Sequence, residues 1–290
     1  MEFRPLLLTD IPAVRPFFRR LASRTCDFSV GGMFMWRDFF RIEFALEDGV
    51  FFSRLRGGGQ GLHYNLPIGE DMASAVAALA AADGAPLRFC TVPEPYLPLF
   101  QETGRSVSVT EHPEFSDYLY AAEDLAQLRG RKYSGTRNLI SQFKRNAGTW
   151  SFRELQAEDA APVREFFQRT YLPSAAAGDY EAEENAKVLE VLENLAAYGM
   201  TGGVLRADGG VVGFTLNEII GDTLYAHIEK ADRHCKGAYQ TLMQQNAACF
   251  TGGEVRYINR EEDMGDPGLR ASKQSYHPLK LLKKYTVVLG

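Results

Sequence analysis

The sequence has few of the residues that build disulfide-rich or metal-binding domains. It contains four cysteines and five histidines in 290 residues, and no two cysteines form a C-x-x-C pair. Their scatter argues against a structural zinc site and fits reduced thiols in a cytosolic protein. Cys235 is the one cysteine in a basic loop, where cations would lower its pKa, but no other feature supports a cysteine nucleophile. We expect no metal and no tightly bound cofactor.

Long apolar runs are also missing. The first ten residues contain an early acid, Glu2, and only a three-residue leucine run from Leu6 to Leu8, which is too short for the apolar region of a signal peptide. No window reaches the length of a membrane-spanning helix. With 45% hydrophobic and 24% charged residues, the composition is that of a globular protein, and we expect a cytoplasmic location.

Acidic residues are absent from two stretches of a chain whose net charge is −5. Six basic residues and no acid lie between Arg129 and Arg145, and five basic residues and no acid follow Pro267. These stretches predict either a local polyanion site, for example for tRNA, or two solvated faces. The candidate polyanion contacts are Lys132, Arg137, Lys144, Arg145, Arg270 and Lys273.

An internal duplication organises the chain. Residues 3–20 align without gaps to residues 152–169, with nine of eighteen positions identical, including Asp10 with Asp159 and a Phe-Phe pair in each copy. Each copy predicts a strand, an acid near a helix N-terminus, a proline in the first turn and an amphipathic helix. We therefore predict two similar domains, residues 1–150 and residues 151–290.

Hydrophobic periodicity predicts an α+β fold for the first half. The glycine-rich run 57–61 joins two predicted strands and opens no helix, so we interpret it as a turn and not as a nucleotide-binding loop. The predicted strands are residues 41–46, 51–56, 62–66, 87–92 and 107–111, and the predicted helices are residues 71–82 and 95–103.

The second half repeats this order. A long helical segment, residues 125–147, precedes it and carries an apolar stripe of Leu139, Ile140 and Phe143. This basic segment either lies along a polyphosphate or RNA backbone or packs the two halves together. The predicted helices that follow are residues 159–170, 181–197 and 238–250, and the predicted strands are residues 201–206, 211–220, 224–229, 255–259 and 285–289.

The loop 233–238 is a candidate anion site. It follows a predicted strand and opens a predicted helix, so backbone N–H groups and the positive end of the helix dipole would point at one spot. Arg233 and Lys236 add full charges, and Gly237 and Ala238 begin the helix. An ordinary strand-to-helix turn is the alternative. The first half has Thr91-Val-Pro-Glu-Pro after its fourth predicted strand, so we expect no anion site there.

Several motifs resemble those of known transferases. Arg233-His-Cys-Lys-Gly-Ala resembles the pyrophosphate loop of GNAT acyltransferases, Q/R-x-x-G-x-G/A, with Lys236 in place of the first glycine. Together with the duplication, the segments His227-Ile-Glu-Lys-Ala-Asp, Tyr257-Ile-Asn-Arg-Glu-Glu-Asp-Met-Gly and Leu269-Arg-Ala-Ser-Lys-Gln-Ser-Tyr-His-Pro resemble the phosphatidylglycerol lysyltransferase C-terminal domain family. This resemblance implies tandem duplicated GNAT domains, each with a mixed, mostly antiparallel sheet flanked by helices.

The same resemblance implies an activity. Members of that family take an aminoacyl group from an aminoacyl-tRNA and transfer it to a lipid headgroup, and the related Fem transferases modify a peptidoglycan precursor. The implied co-substrate is an aminoacyl-tRNA, and the acceptor is a lipid headgroup, a peptide or a small molecule. Two alternatives stay open, an acyl-CoA-dependent N-acyltransferase and a catalytically silent module that binds tRNA or another anion.

Acyl transfer needs a base for the nucleophile, a donor for the developing oxyanion and an acid for the leaving group. Glu229, on the predicted strand just before the anion loop, is the candidate base. Tyr276 lies where GNAT enzymes often carry a tyrosine as acid. The alternatives are a strand-end ion pair of Glu229 with Lys230 or Arg233, and a core position for Tyr276.

A second acidic group, Glu261 to Asp263, follows the strand 255–259. It would receive a cationic aminoacyl group or acceptor, or form a solvated turn, and we take Glu262, Asp263 and His227 as candidate acceptor contacts. Metal binding by His227, Glu229, Asp232 and His234 is disfavoured, because these residues lack a ligand spacing.

Overall fold

Two mixed sheets form the framework of the chain, and segments far apart in sequence pair within each of them. The computed structural model describes residues 1–56, 61–82, 86–174 and 179–290. The predicted glycine-rich turn lies, except for Gly61, outside the described residues.

The strands of the described residues follow the predicted order, with β7 and β13 as additions. They are β1 (Arg4–Pro5), β2 (Glu43–Glu47), β3 (Val50–Leu55), β4 (His63–Tyr64), β5 (Leu87–Pro93), β6 (Val107–Glu111), β7 (Asp117–Ala121), β8 (Trp150–Glu154), β9 (Thr201–Ala207), β10 (Gly210–Ile220), β11 (Thr223–Ala231), β12 (Tyr257–Asn259), β13 (Lys280–Leu282) and β14 (Lys284–Leu289).

Most helices also follow the prediction, although Val30–Phe34 is an additional helix and residues 94–103 form a 3-10 helix and not an α-helix. The α-helices are α1 (Ile11–Phe18), α2 (Val30–Phe34), α3 (Met72–Ala82), α4 (Ala122–Gln127), α5 (Ser134–Asn146), α6 (Ala160–Thr170), α7 (Asp179–Glu193), α8 (Leu195–Tyr198), α9 (Ala238–Phe250) and α10 (Pro267–Gln274). Within the described ranges, no helix combines the length and the apolar character that a membrane crossing requires.

The two sheets have the same strand order, which confirms the predicted duplication. The first sheet runs β1-β2-β3-β4-β5-β14-β6, and the second, from its opposite edge, runs β8-β9-β10-β11-β12-β7-β13. In each sheet the fourth and fifth strands are the parallel pair, β4 with β5 and β11 with β12. A parallel pair needs a crossover helix, and α3 and α9 supply it.

The sixth strand of each sheet comes from an unexpected part of the chain. The first sheet receives β14 from the C-terminal end, and the second receives β7 from before residue 150. The chain accordingly divides into unit 1 (residues 1–118, 261–270 and 281–290) and unit 2 (residues 119–260 and 271–280). This division differs from the predicted boundary near residue 150, because a strand pairs through its backbone and carries no local signal of which sheet it joins.

The duplicated segments make the same side-chain contacts in both units. In unit 1, Arg4 Nη2 donates to Asp10 Oδ1 at 2.7 Å, and Asp10 Oδ2 accepts the Leu7 N–H at 2.9 Å. In unit 2, Arg153 Nη2 donates to Asp159 Oδ1 at 2.8 Å, and Asp159 Oδ2 accepts the Gln156 N–H at 3.0 Å. The identities in the sequence therefore preserve an ion pair that ties the first strand to the following helix.

The two Phe-Phe pairs fill equivalent core positions. Phe17 and Phe18 pack on Phe51 of β3, with ring centroids 5.8 and 6.0 Å away. Phe166 and Phe167 pack edge-on against Phe214 of β10, at 6.3 and 6.0 Å. Because β3 and β10 are both third in their sheets, the same helix face covers the same strand in each unit.

The predicted helix 125–147 is broken into α4 and α5. Leu128 and Gly130 adopt left-handed backbone conformations, with φ values of +49° and +87°. The chain turns here because Arg137 donates to the carbonyl oxygens of both residues, which replaces the helical hydrogen bonds that the break removes. α5 lies in unit 2, where Phe143 and Ala147 join Ala238 and Leu242 in one core cluster.

Unit 1 lacks a basic loop at the position equivalent to the candidate anion loop. The equivalent loop joins β4 to α3 and spans residues 65–71, which include two acids and no base. The predicted equivalent, Thr91 to Pro95, instead lies at the end of β5, where it begins the 3-10 helix.

The shared Arg–Asp pair makes a prediction about stability. Asp159 is 1% exposed and also accepts from Arg206 at 3.1 Å, whereas Arg4, the partner of Asp10, is 55% exposed. We expect Asp159→Asn to lower the free energy of unfolding by about 2 to 3 kcal/mol, since it removes a buried carboxylate charge that accepts hydrogen bonds from two partly exposed guanidinium groups, Arg153 and Arg206, and Asp10→Asn by about 1 kcal/mol. Urea denaturation followed by fluorescence measures both.

Glu158→Gln is the matched control for this comparison. It removes the same charge next to Asp159 from a side chain that is 74% exposed, so its effect should stay within about 0.5 kcal/mol. An equal loss in Asp10→Asn and Asp159→Asn would show that burial does not set the strength of this pair.

Candidate active site

β11 and β12 part within the sheet of unit 2, and we call the gap between these two strands the crevice. The two strands pair only from Thr223↔Tyr257 to Tyr225↔Asn259. β12 then ends, whereas β11 continues six residues further to Ala231. No strand of the described residues therefore pairs with the last part of β11 on that side, and the carboxyl ends of parallel strands are a common place for ligand sites.

An ion pair spans this crevice. Arg260, the first residue after β12, donates through Nε and Nη2 to a single oxygen, Glu229 Oε2, at 2.8 and 2.7 Å. The side chains are only 11% and 14% exposed. Neither Lys230 nor Arg233 is the partner of Glu229; Lys230 pairs with Glu184 instead. The predicted strand-end ion pair therefore exists, but with a residue from the neighbouring strand.

Tyr276 lies against the same guanidinium group. The Arg260 Cζ atom is 4.8 Å from the Tyr276 ring centroid and 5.8 Å from that of Tyr120. Tyr276 is 4% exposed, and the Tyr133 hydroxyl donates to its backbone carbonyl at 3.1 Å. The structure thus brings the two predicted catalytic residues, Glu229 and Tyr276, to one arginine. It also gives Tyr276 the core position that the alternative interpretation predicted.

The titration of these groups follows from burial and from the ion pair. Burial raises the pKa of Tyr276, and Glu229 raises it further against the opposing effect of Arg260. Burial disfavours the charge on Arg260, but Glu229 and the two tyrosines outweigh this effect and raise the pKa of its guanidinium. At neutral pH Tyr276 therefore carries its proton and Arg260 its charge.

His227 lies at a β-bulge on the same strand. Leu216 faces Ile228 and Asn217 faces Ala226 across β10, which leaves His227 as the extra residue. Its side chain is 2% exposed, and its Nε2 atom lies 3.4 Å from Glu218 Oε2. His227 is therefore packed within the β10–β11 pair and is not an exposed acceptor contact.

Some backbone N–H groups of the predicted anion loop already donate hydrogen bonds to Asp232, just before the loop. Asp232 Oδ1 accepts the His234 N–H at 2.8 Å, and the Asp232 carbonyl accepts the Cys235 N–H at 3.1 Å. Arg233 and Lys236 are exposed, while Gly237 and Ala238 are buried. The carboxylate of Asp232 supplies a negative charge at the place where the sequence predicted a bound anion.

Gly237 is explained by packing. Its φ is +85°, and a Cβ atom at this position would lie 2.1 Å from the Leu139 carbonyl oxygen of α5. The glycine thus permits α5 to contact the start of α9. Cys235 is partly buried next to Asp232, and both effects raise the pKa of its thiol. The predicted lowering of that pKa by Arg233 and Lys236 is wrong, because desolvation and the nearer acid dominate.

The predicted polyanion residues differ in what they contact. Arg137 caps the break between α4 and α5. Lys273 is 7% exposed and donates to the Arg260 carbonyl at 2.5 Å, so it supports the crevice and is not on the surface. Lys132 lies 3.4 Å from Asp124, and Lys144 lies over Trp150 at 4.8 Å. Arg145 is also exposed.

Asp263 and Arg270 bind each other within unit 1. Arg270 donates to both Asp263 oxygens at 2.8 and 2.9 Å, and the Tyr118 hydroxyl and the Gly265 N–H donate to them at 2.7 and 2.8 Å. Arg270, aided by Tyr118 and Gly265 against a weaker effect of burial, lowers the pKa of Asp263 to about 2. The carboxylate is therefore saturated with donors, and the predicted acceptor and polyanion contacts neutralise each other.

Glu262 belongs to a buried cluster of unit 1. The Lys284 ammonium lies 2.7 Å from Asp117, 2.8 Å from Asp27 and 3.3 Å from Glu262, and 3.5 Å from Cys26 Sγ. Cys26, Asp27 and Asp117 offer atoms within 4.8 Å of one another, as a metal site would. Lys284 supplies the positive charge that compensates them.

Burial and the neighbouring acids disfavour the charged form of the carboxyls around the Lys284 ammonium. Burial raises the pKa of Asp117 to about 6, with Glu262 and Asp27 adding to the effect against the opposing attraction of Lys284. The acids in turn raise the pKa of Lys284 well above its usual value, although burial opposes its charge. The Lys284 ammonium therefore remains charged, and the Asp117 carboxyl takes up its proton at a higher pH than an exposed aspartate.

Arg260 is the functional candidate that sequence reasoning missed. It lies in the segment Tyr257-Ile-Asn-Arg-Glu-Glu-Asp, in which only the acids after it were predicted to contact a substrate. The available signal is its place as the first residue after a strand that follows the crossover helix of the Glu229 strand, since two strands joined in this way pair in parallel.

Gly237→Ala tests the contact between α5 and the loop. The new Cβ would overlap a backbone oxygen, and the residue would keep a positive φ, so we expect a loss of about 2 to 4 kcal/mol in the free energy of unfolding. Gly209→Ala is the control, because Gly209 has φ +79° and nothing within 4 Å; it should cost about 1 kcal/mol. Equal losses in urea denaturation would contradict the close approach of α5.

The Asp117 carboxyl predicts a pH dependence. Because its pKa in the folded chain, about 6, lies above the ordinary 3.8, folding favours its protonated form. The folded chain should therefore lose stability, relative to Asp117→Asn, as the pH rises from about 4 through 6. Urea midpoints of both proteins across this range measure the difference. A wild type that gains on the variant with rising pH would show that the pair with Lys284 dominates.

Comparisons with known proteins agree with this architecture. A protein of unknown function from Bacteroides thetaiotaomicron VPI-5482 has a similar crystal structure, with a TM-score of 0.88, 27% identity and 100% of both chains covered. L-PGS from Bacillus licheniformis gives a TM-score of 0.67 at 13% identity, covering 96% of this chain and 91% of that one. FemX gives 0.59 at 10% identity, with 99% and 97% covered. These likenesses support the predicted tandem GNAT-like fold.

A curated sequence and a family model complete the comparison. An uncharacterized protein of Mycoplasmoides gallisepticum is 22% identical over 181 residues, which are 61% of this chain and 57% of that protein, so the match spans little more than half of the relative. The family described as "Phosphatidylglycerol lysyltransferase, C-terminal" matches residues 18–288. The chain therefore belongs to the phosphatidylglycerol lysyltransferase C-terminal family.

Proposed function

We propose that this chain is an aminoacyltransferase that moves an aminoacyl group from an aminoacyl-tRNA to an amine or hydroxyl acceptor. The chemistry would take place in the crevice of unit 2, with Glu229 as base and Tyr276 as acid. Membership of the phosphatidylglycerol lysyltransferase C-terminal family supports the reaction class. Unit 1 would act as a scaffold, because its equivalent loop, residues 65–71, contains no lysine or arginine.

The observation that carries this proposal is how Glu229 is held. Both hydrogen bonds from Arg260 end on Oε2, and Oε1 accepts none from the described part of the chain. A carboxylate fixed through one oxygen keeps the other for the proton of a nucleophile. The pair crosses the gap between β11 and β12, which is where a substrate would find unpaired strand backbone.

Tyr276 supports the acid role. Its phenol remains protonated at neutral pH because burial raises its pKa, and its hydroxyl makes no hydrogen bond to the described residues. The Tyr276 ring lies against the guanidinium group that orients Glu229, so the phenol proton would be available to the oxygen of a leaving tRNA ribose. The acid and the base would then act on opposite sides of one acyl carbon.

The surface around the loop supports tRNA as the donor. Four exposed cations of unit 2, Lys144 and Arg145 on α5 and Arg233 and Lys236 on the loop, belong to elements that contact each other at Gly237. Binding through many phosphates would make donor affinity fall steeply with salt. For acyl-CoA, the loop is less suitable, because Lys236 replaces a glycine and the Asp232 carboxylate already accepts a loop N–H.

A panel of donors tests the reaction. Purified protein is mixed with radiolabelled lysyl-tRNA, alanyl-tRNA or acetyl-CoA, and with phosphatidylglycerol vesicles, a peptide mixture or a pool of small amines. We expect label to move from at least one aminoacyl-tRNA to one acceptor class, and not from acetyl-CoA. Transfer from acetyl-CoA alone would support the acyl-CoA alternative. Binding of tRNA without transfer would support the silent module.

Glu229→Gln tests the base in this assay. The amide keeps the size of the side chain but cannot take a proton, so turnover should fall by about a hundredfold or more while donor affinity stays nearly constant. Tyr276→Phe should reduce turnover less, because solvent can protonate the leaving oxygen. Glu184→Gln is the control, since it also removes a carboxylate from an ion pair with a β11 residue, Lys230. Full activity in Glu229→Gln would remove Glu229 from the mechanism.

A further inference from the structure

We infer that Arg260 is a catalytic residue, and that its Nη1 group donates a hydrogen bond to the carbonyl oxygen of the acyl group being transferred. This inference rests on the proposed aminoacyl transfer and adds to it the donor for the developing oxyanion. It starts from the one part of the Arg260 side chain that the ion pair does not use.

The geometry of the pair leaves Nη1 free. A guanidinium group has five N–H donors in a planar fork, and Arg260 directs the edge formed by Nε and Nη2 at Glu229 Oε2. Nη1 is buried and has no hydrogen-bond partner in the described residues. A charged donor that is removed from water without a partner is rare in a folded protein and calls for a ligand or an ordered water.

The surroundings keep this donor in one orientation. The guanidinium group lies over the ring of Tyr276 and near that of Tyr120. The Tyr120 hydroxyl is itself fixed, because it donates to the Lys273 carbonyl at 2.8 Å, and Lys273 Nζ donates to the Arg260 carbonyl. Aromatic contacts and the hydrogen bonds to Glu229 thus oppose rotation of the side chain toward solvent. The free N–H group is preorganised before any substrate arrives.

The charge of the site selects the kind of oxygen that Nη1 would bind. Glu229 neutralises Arg260, so the pair as a whole attracts a phosphate or a carboxylate only weakly. A carbonyl oxygen needs no full countercharge in the ground state, but it gains negative charge in the transition state of acyl transfer. A fixed donor in a water-poor site stabilises such developing charge most effectively.

The complete step assigns each proton and electron pair. The acceptor nitrogen or oxygen forms a bond to the acyl carbon while its proton passes to Glu229 Oε1, and the C=O π electrons move to the oxygen held by Arg260 Nη1. The tetrahedral intermediate then re-forms the C=O bond and breaks the ester C–O bond to the tRNA ribose. The leaving oxygen takes the Tyr276 proton, and the proton on Glu229 re-protonates Tyr276 through solvent.

Arg260→Lys tests this role. Lysine keeps a cation for Glu229 but has no second donor edge, so kcat should fall by about a hundredfold to a thousandfold while the KM for the aminoacyl-tRNA changes little. Arg206→Lys is the matched control, because Arg206 also pairs with a buried carboxylate of unit 2, Asp159. It should retain kcat, since it lies in no part of the proposed machinery.

Binding of small probes separates a direct contact of Arg260 from a structural role. If Arg260 only supported the fold, its substitution would not change the relative affinities for probes with and without a carbonyl group. L-Alaninamide and L-lysinamide carry a carbonyl group next to an amine, whereas ethylamine and 1,5-diaminopentane are matched amines without it. We expect wild type to bind each amide at least tenfold more tightly than its matched amine by calorimetry. Arg260→Lys and Arg260→Gln should lose this ratio, and Arg206→Lys should keep it.

The outcomes separate this inference from the proposed function. If wild type transfers aminoacyl groups, and if Arg260→Lys retains both kcat and the preference for amides, the inference is overturned and the proposed function stands. If wild type transfers from no aminoacyl-tRNA, the proposed function fails, while a preference for amides that depends on Arg260 still supports the carbonyl contact. Should both Arg260 variants fail to fold, a wild-type crystal structure with L-alaninamide decides, and a carbonyl oxygen bound away from Nη1 would overturn the inference.

Discussion

The ion pair between Glu229 and Arg260 is the interaction on which the candidate site depends. β11 and β12 stop pairing after Tyr225 and Asn259, and a sheet that opens in this way exposes backbone groups that need partners. The ion pair joins the two strands across the gap. It uses only one carboxylate oxygen of Glu229 and one edge of the Arg260 guanidinium group. Within the described residues, one oxygen of Glu229 and the Nη1 group of Arg260 remain without a hydrogen bond, and they are the atoms to which the proposal assigns the roles of base and oxyanion donor. Lys273 helps to fix the backbone of Arg260, because its ammonium donates a hydrogen bond to the Arg260 carbonyl.

The duplication gives both units the same framework, and the proposed site lies in unit 2. Both units place an Arg–Asp pair and a Phe-Phe pair at the same positions of the same sheet order, so the framework is held by the same contacts twice. They differ in the loop between the fourth strand and its crossover helix, which is acidic in unit 1 and basic in unit 2. Unit 1 instead concentrates its buried charge around Lys284, where three carboxylates surround one ammonium. The charges of that cluster compensate one another. The Glu229–Arg260 pair, in contrast, leaves one oxygen of Glu229 and Nη1 of Arg260 without a hydrogen bond from the described residues.

The number of basic residues in the two acid-free stretches is larger than the number of cations that are exposed to a polyanion. Of the six that the acid-free stretches indicated, Arg137 caps a helix break, Lys273 is buried, and Arg270 is held by Asp263. Their charges are satisfied within the fold because buried or partly buried cations require partners. Lys144, Arg145, Arg233 and Lys236 are exposed cations of α5 and of the loop 233–238, and these two elements meet because Gly237 has no side chain.

The sequence by itself determined most of the element order and the duplication, and it supplied two residues of the candidate site. These depend on local patterns: apolar periodicity sets strands and helices, and identities at Arg4, Asp10, Arg153 and Asp159 preserve a short-range ion pair. Glu229 and Tyr276 were found through motif resemblance, which needs only their place in the chain. Tertiary structure decided the rest. The exchange of β7 and β14 between the sheets, the pairing of Glu229 with Arg260, and the close contact of α5 with Gly237 all join residues distant in sequence. Such contacts depend on which backbones and charges meet in space, and no local pattern carries that information.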